Sequence, residues 1–435
     1  MSLGKLTVNG RQDSFLCEGK PFFWFADTCW SAFTSITEAD WDYYLTRRAE
    51  QGMNVLQINT LPQWDRCCPD LGIWPYASED GVHFDWSRPN QAYWDRAAAM
   101  CRAAVEHGIR PALVLMWCNY VPGTWGAKIA ERCGAEVMPR EEVRAHVARV
   151  VENLGEFDPV YVVTGDTDFA GDEAIAYYED ALDEVAKRAP EALRTMHINR
   201  GNRTIPAQYL DRLDFYMFQP GHNYEGQPEA WHLPQDFIAS YPKKPMVNSE
   251  PCYEQMGASR NVYWRFTAQD CRASVWSSIL AGASAGVTYG AHGVWNWQTS
   301  KSQGSVLGEG FDMPFRWQEC LQFPGVWDYG MVPHVLNSLT EGGLHAVVPA
   351  QELLDDAREA IRVARVGDRV VAYLPRTTAL KLHGPFADME AVAFDLEDKR
   401  VAHLPMRVDT RTGMTRIEQH PFGHDALVIL KPAAH

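Results

Sequence analysis

The sequence predicts a (β/α)8 barrel followed by a small C-terminal antiparallel β-sandwich, and three observations carry that prediction. Short apolar runs alternate with helix-length amphipathic segments, the rhythm of parallel βαβ units. The polar residues just after those runs are carboxylates, amides and tryptophans, where a barrel of this kind builds its site. All sixteen tryptophans lie between Trp24 and Trp327 and no cysteine follows Cys320, a composition shift that sets a domain boundary near Asn337. The barrel is therefore expected over 1–337 and the sandwich over 338–435, a division that 435 residues accommodate easily.

The apolar runs count to eight. Phe22 to Ala26 is the first. It leads to Thr37-Glu38-Ala39-Asp40, a capped helix start, and the helix runs to about Gln51 before Gly52 closes it. Asn54 to Ile58 is the second, Pro111 to Met116 the third after the helix Gln91 to Glu106, and Val160 to Thr164 the fourth after the helix Arg140 to Leu154. Thr195 to Asn199, Asp214 to Phe218, Pro245 to Asn248 and Gly286 to Tyr289 complete the set, with helices such as Gly171 to Lys187 and Ala268 to Ala281 between them. An open doubly wound sheet would share the alternation, but Phe25-Ala26-Asp27-Thr28 lacks the glycine-rich turn that usually follows its first strand. In the tail, Ala360 to Val366, a Gly367-Asp368 turn and Arg369 to Leu374 predict a hairpin, with further strands at Val392 to Leu396 and Ala426 to Leu430.

Forty basic residues against 56 acidic ones give a net charge of -16, which disfavours nucleic acid and anionic membrane surfaces as partners and suits a neutral substrate. Ten scattered cysteines without a CxxC pair suit reduced, buried thiols. With no leader pattern at the N-terminus and no membrane-length apolar run, a soluble, cytoplasmic protein is expected, although a trimmed export signal would leave the same Met1-Ser2-Leu3 start.

The strand ends supply the candidate chemistry. Asp27 and Trp30 follow the first run, Asn59, Gln63 and Trp64 the second, Trp117, Asn119 and Tyr120 the third, and Asp166 and Asp168 the fourth. The fifth ends at His197 and Asn199, the sixth at Gln219, His222 and Tyr224, the seventh at Glu250 with Tyr253 beyond it, and the eighth at Tyr289, His292, Trp295 and Trp297. Indoles stack on the C–H faces of sugar rings, and amides and carboxylates fork onto vicinal hydroxyls, so this mixture points to carbohydrate. Asp27, Trp30, Asn59, Trp117, His197, Asn199, Gln219, His222, Tyr253, Tyr289, His292 and Trp295 are the expected sugar contacts.

Retaining hydrolysis of a glycosidic bond needs one carboxylic acid and one carboxylate about 5 to 5.5 Å apart. Asp166 and Glu250, from the fourth and seventh strand ends, could meet across the barrel mouth as acid/base and nucleophile. Asp168 fits better as a charge at the start of the next helix. No cofactor or metal is expected, because the histidines show no HxH or HExxH spacing. A metal-dependent hydrolase is thus the weakest alternative. A carbohydrate-binding barrel that has lost turnover is the stronger one.

Pro21-Phe22-Phe23-Trp24-Phe25-Ala26-Asp27-Thr28-Cys29-Trp30 and Tyr44-Leu45-Thr46-Arg47-Arg48-Ala49-Glu50-Gln51-Gly52-Met53-Asn54-Val55 resemble the opening of the apiosidase-like glycoside hydrolases, glycoside hydrolase family 140. Val162-Val163-Thr164-Gly165-Asp166, the stretch Pro245 to Glu254, and the stretch Ala281 to Gly290 leading to Val294-Trp295 extend the likeness across the barrel. The resemblance implies an acid/base aspartate after the fourth-strand glycine and a seventh-strand glutamate nucleophile, which fall on Asp166 and Glu250. It also implies a trailing β-sandwich, whose late turn Asp409-Thr410-Arg411-Thr412-Gly413 resembles. Two departures bear on substrate identity: Thr167-Asp168 follows Asp166 where arginine or asparagine is expected, and Ala26 replaces a glycine before Asp27.

Overall fold

A computed structural model describes residues 3–259, 262–300, 312–339, 347–355 and 358–433. Eight parallel strands form one sheet: β1 Trp24–Thr28, β2 Val55–Asn59, β3 Arg110–Trp117, β4 Val160–Gly165, β5 Arg194–Thr195, β6 Tyr216–Phe218, β7 Met246–Asn248 and β8 Gly286–Tyr289. Their order is β5-β4-β3-β2-β1-β8-β7-β6, so each strand lies beside its sequence neighbour. Hydrogen bonds from the Asp214 N–H to the Arg194 carbonyl (2.9 Å) and from Thr195 Oγ1 to the Phe215 carbonyl (2.7 Å) join the two end strands and close the barrel.

A barrel helix follows each strand: α1 Glu38–Glu50, α2 Gln91–Glu106, α3 Arg140–Leu154, α4 Asp172–Arg188, the single turn α5 Ala207–Leu210, α6 Glu229–Ser240, α7 Ala268–Leu280 and α8 Gly325–Ser338, with short extra helices at Ala32–Ser35, Trp125–Ala130 and Trp317–Cys320 in the loops. None among the described residues is long and apolar enough to cross a membrane. Thr37 caps α1 as its sequence implies, its Oγ1 accepting the Asp40 N–H at 3.2 Å. Asp168 does not cap α4: Gly171 stands at the cap position without a side-chain bond, and Asp172 and Glu173 supply the negative charge of the first turn.

Two strands differ from expectation in ways that matter later. Phe22 belongs to a preceding antiparallel sheet (Leu6–Val8, Phe15–Cys17, Lys20–Phe22), where it pairs with Phe15, so β1 begins two residues later and takes in Asp27 and Thr28. The sheet covers the N-terminal end of the barrel, with Phe15 packed edge-on against Phe215 at 5.0 Å. The fifth strand keeps ladder pairing only over Arg194–Thr195; beyond it His197 exchanges bonds with Thr164 of β4 (3.3 and 2.8 Å), and Ile198 forms an isolated bridge with Thr167 just past β4.

After α8 come β9 Val347–Pro349, β10 Arg362–Val366, β11 Arg369–Leu374, β12 Leu380–His383, β13 Met389–Asp395, β14 Val401–Leu404, β15 Met406–Asp409, β16 Met414–Ile417 and β17 Ala426–Pro432. They make a six-stranded antiparallel sheet, β9-β10-β11-β17-β13-β14, facing a three-stranded one, β12-β16-β15. Alternation along each strand divides the apolar residues. Val363, Val370, Ala372 and Val428 fill the space between the sheets with Leu382 and Ile417, whereas Ala364, Val371, Tyr373 and Leu427 join the barrel core.

The two halves are also tied by charge. Arg272 of α7 donates to both oxygens of Asp425 (2.8 to 3.2 Å), to Asp328 (2.7 Å) and to Glu397 (2.9 Å), and its side chain and that of Asp425 are 3% and 0% exposed. Arg272→Ala leaves Asp425 buried without its cation. It is expected to cost about 3–5 kcal/mol, read in denaturant titrations, and the Arg272→Ala/Asp425→Ala double variant is expected to lose much less than the sum of the single losses.

Candidate active site

A cavity of about 680 Å³ opens at the C-terminal ends of the barrel strands, the face where such barrels place their sites. Asp166 and Glu250 both line it. Glu250 follows β7 by two residues and is held from three sides. His197 Nε2 donates to Oε2 at 2.8 Å, while His222 Nε2 and the Tyr253 hydroxyl donate to Oε1 at 3.1 and 2.5 Å. Burial raises the pKa of this carboxyl, but the hydrogen bonds and charge of His197 and His222 outweigh burial and hold it well below the usual carboxylate range. Burial and the Glu250 charge push the Tyr253 hydroxyl well above its ordinary value, so it stays a donor.

The carboxylate's partners are themselves fixed. Trp30 Nε1 donates to the Tyr253 hydroxyl at 3.0 Å, and His197 Nδ1 lies 2.9 Å from Ser249 Oγ. Gly290 lets the Tyr253 ring lie directly against the backbone, because a Cβ there would overlap it.

Asp166 is the residue after β4, with φ at 53°, a left-handed conformation uncommon for a side chain with a Cβ although aspartate tolerates it better than most. Trp125 Nε1 donates to its carbonyl at 2.7 Å, and Gln219 Nε2 donates to Oδ1 at 2.5 Å. Gly165 before it is pressed under the Trp117 ring, and any Cβ there would overlap the indole. Gln219 Nε2 also sits 3.3 Å from His197 Nε2, so contacts of 2.5, 3.3 and 2.8 Å lead from Asp166 through Gln219 and His197 to Glu250. The two carboxylates thus face one space between β4 and β7.

Trp30, Trp117, Asn199, Gln219, His222, Tyr253 and Trp295 line the cavity as expected of sugar contacts. Five expected contacts are elsewhere. His197 lies behind Glu250, its ring 5.6 Å from that of Trp30 and 6.0 Å from that of Trp117. His292 supports Trp295 by accepting its indole N–H at 3.2 Å. Asn59 is 3% exposed at the end of β2, outside the cavity wall. Asp27 and Tyr289 are paired in register on β1 and β8 and face the helix layer: Asp27 binds Arg48 (2.6 Å) and Tyr44 (2.7 Å) of α1, and the Arg48 guanidinium lies 5.6 Å from the Tyr289 ring centre. Their inclusion as sugar contacts is corrected by the strand register. Once β1 extends through Thr28, Asp27 points outward.

The expected set omits several lining residues: Gln63, Trp64, Asp65, Trp125, Arg200 and Asn223 among them. Gln63 and Trp64 stood at a strand end, a signal that could have included them. Arg200 follows Asn199 and Asn223 lies between His222 and Tyr224, so the strand-end signal reached their neighbours, but not that they meet: the Asn223 side-chain carbonyl accepts from Arg200 Nη1 and Nη2 at 2.7 and 3.2 Å. Among the described residues, no group of three His, Cys, Asp or Glu could hold a metal ion.

Glu254, four residues beyond Glu250, is buried and bonded to the Tyr289 hydroxyl (2.6 Å) and the Gly325 N–H (2.9 Å). Burial pushes its carboxyl up from 4.5 to about 7, and those bonds only partly oppose this. Between these values the folded protein binds the extra proton, so this contribution to stability is complete below pH 4.5 and is lost as pH rises through 7. Glu254→Gln keeps both acceptor bonds and is expected to gain stability over wild type at pH 8 relative to pH 5, by on the order of 2 kcal/mol. Paired thermal melts at the two pH values check this.

The family described as "Apiosidase-like, catalytic domain" matches residues 11–341. A solved structure titled "Glycoside hydrolase" superposes with a TM-score of 0.78 at 21% identity, covering 100% of this chain and 98% of that one. A glycoside hydrolase family 5 protein from Bacteroides vulgatus gives a TM-score of 0.79 at 21% identity, covering 100% and 94%. Both share the barrel fold and its trailing module. A comparison with curated proteins found no match.

Proposed function

The chain belongs to the apiosidase-like catalytic-domain family and is thereby a glycosidase; from that premise we propose that it cleaves by double displacement, with Glu250 as nucleophile and Asp166 as acid/base. The observation that carries this reading is that two carboxylates, from the ends of β4 and β7, line one cavity. Glu250 is gripped by His197, His222 and Tyr253 and kept ionised. Asp166 accepts the Gln219 amide N–H at its carboxyl and lines the same cavity.

In the first step a Glu250 oxygen attacks the anomeric carbon while Asp166 gives its proton to the departing oxygen. The leaving group departs as an alcohol, and a glycosyl ester remains on Glu250. Asp166, now ionised, takes a proton from water, whose oxygen attacks the same carbon and releases the sugar with its configuration retained. Trp30, Trp117 and Trp295 offer ring faces to the sugar, and Asn199 and Arg200 offer donors to its hydroxyls. The family name puts apiosides first among candidate substrates.

A panel of nitrophenyl glycosides that includes the β-D-apiofuranoside, with wild type, Asp166→Ala and Glu250→Gln side by side, tests the proposal. Turnover of one member that falls steeply in both variants supports it. Wild-type rates retained in both variants overturn it.

A further inference from the structure

The cavity does not end at its own rim. Asn223, which lines the wall, is followed by the short turn Tyr224–Gly226, and Met256, which lines it too, leads into a hairpin of Gly257–Ser259 and Val262–Arg265. These loops follow β6 and β7, and they meet where the Tyr224 and Trp264 rings pack edge to face with centroids 5.6 Å apart. Trp264 packs in turn on Phe266 at 5.3 Å, so this side of the hairpin is anchored. Tyr224 nevertheless leaves 56% of its surface in water. Tyr263 is 97% exposed and, one residue before Trp264 on an extended strand, points to the opposite side of the hairpin.

From this continuity we infer that Tyr224 and Trp264 form a binding subsite outside the cavity for a further sugar ring of the chain whose end is cleaved inside it. This rests on the glycosidase mechanism proposed above and specifies its substrate as an oligosaccharide longer than the cavity alone would hold. Two features fit the role. The pair is rigid, because each ring is braced by the other or by Phe266, so stacking a sugar on it costs little side-chain entropy. Tyr224 also directly follows Asn223, so a sugar chain leaving the wall formed by Asn223 and Arg200 runs toward an uncharged aromatic pair.

The test compares a nitrophenyl glycoside that the full-length protein cleaves with the disaccharide, trisaccharide and tetrasaccharide ending in the same sugar. For Tyr224→Ala, kcat/KM on the longer members is expected to fall roughly two- to tenfold through KM, with the nitrophenyl glycoside unchanged and Tyr224→Phe like wild type. Trp264→Ala is expected to act in the same direction, and Tyr263→Ala to change nothing. Equal ratios to wild type at every chain length overturn the subsite while leaving the mechanism standing, and so does a change of oligomeric state as the only effect. A wild type with no Glu250-dependent turnover of any member overturns both.

Discussion

Glu250→Gln is expected to lower kcat on an activated aryl glycoside by at least about a thousandfold, and to lower the melting temperature too, because a neutral amide replaces an ionised carboxylate held by two histidines. The amide oxygen is a far weaker nucleophile than the carboxylate, so attack on the anomeric carbon slows. The substitution preserves shape, so the Tyr253 hydroxyl can still donate to the side-chain oxygen. It also removes the charge that His197 and His222 embrace at 2.8 and 3.1 Å. Because the carboxyl is held well below the usual range, the acidic limb that Glu250 contributes to the wild-type pH–rate profile is expected below the pH at which free glutamate titrates.

The second large effect is expected at Asp166, and its size depends on the substrate. Asp166→Ala is expected to cost roughly two to four orders of magnitude in kcat/KM on an alkyl glycoside, whose leaving oxygen needs a proton. On a dinitrophenyl glycoside, whose departing phenolate is stable, the first step survives and the glycosyl ester accumulates because no base activates water. Added azide, which needs no base, is expected to restore turnover and to yield a glycosyl azide of the substrate's configuration. The alkaline limb of the pH–rate profile is expected to disappear with the carboxyl. Equal losses on both leaving groups, without rescue, would mean that Asp166 positions the substrate and transfers no proton.

Much of this was legible in the sequence because a barrel converts position along the chain into position in space. A carboxylate just past the fourth apolar run and one just past the seventh must both emerge on the C-terminal face. Asp166 and Glu250 were found that way, as were Trp117 and Gln219. The rule fails where a strand's limits are misjudged. Ending the first strand at Ala26 put Asp27 in a loop, whereas β1 runs through Thr28, so Asp27 lies within the strand and points toward Arg48. The rule is also silent about depth. His197 and His292 do end strands, but each supports a neighbour, Glu250 or Trp295, and only three-dimensional contacts separate the group that touches the ligand from the one behind it. Arg200 and Asn223 mark the remaining limit, since they come from different loops and are joined by hydrogen bonds that no local pattern encodes.

The central claim is that Glu250 bonds to the sugar before water does, and the stereochemistry of methanolysis tests it most directly. With methanol present during hydrolysis, proton NMR is expected to show a methyl glycoside of the same anomeric configuration as the substrate, formed alongside the free sugar. Free sugar released first with the opposite configuration, and no methyl glycoside, would contradict the account.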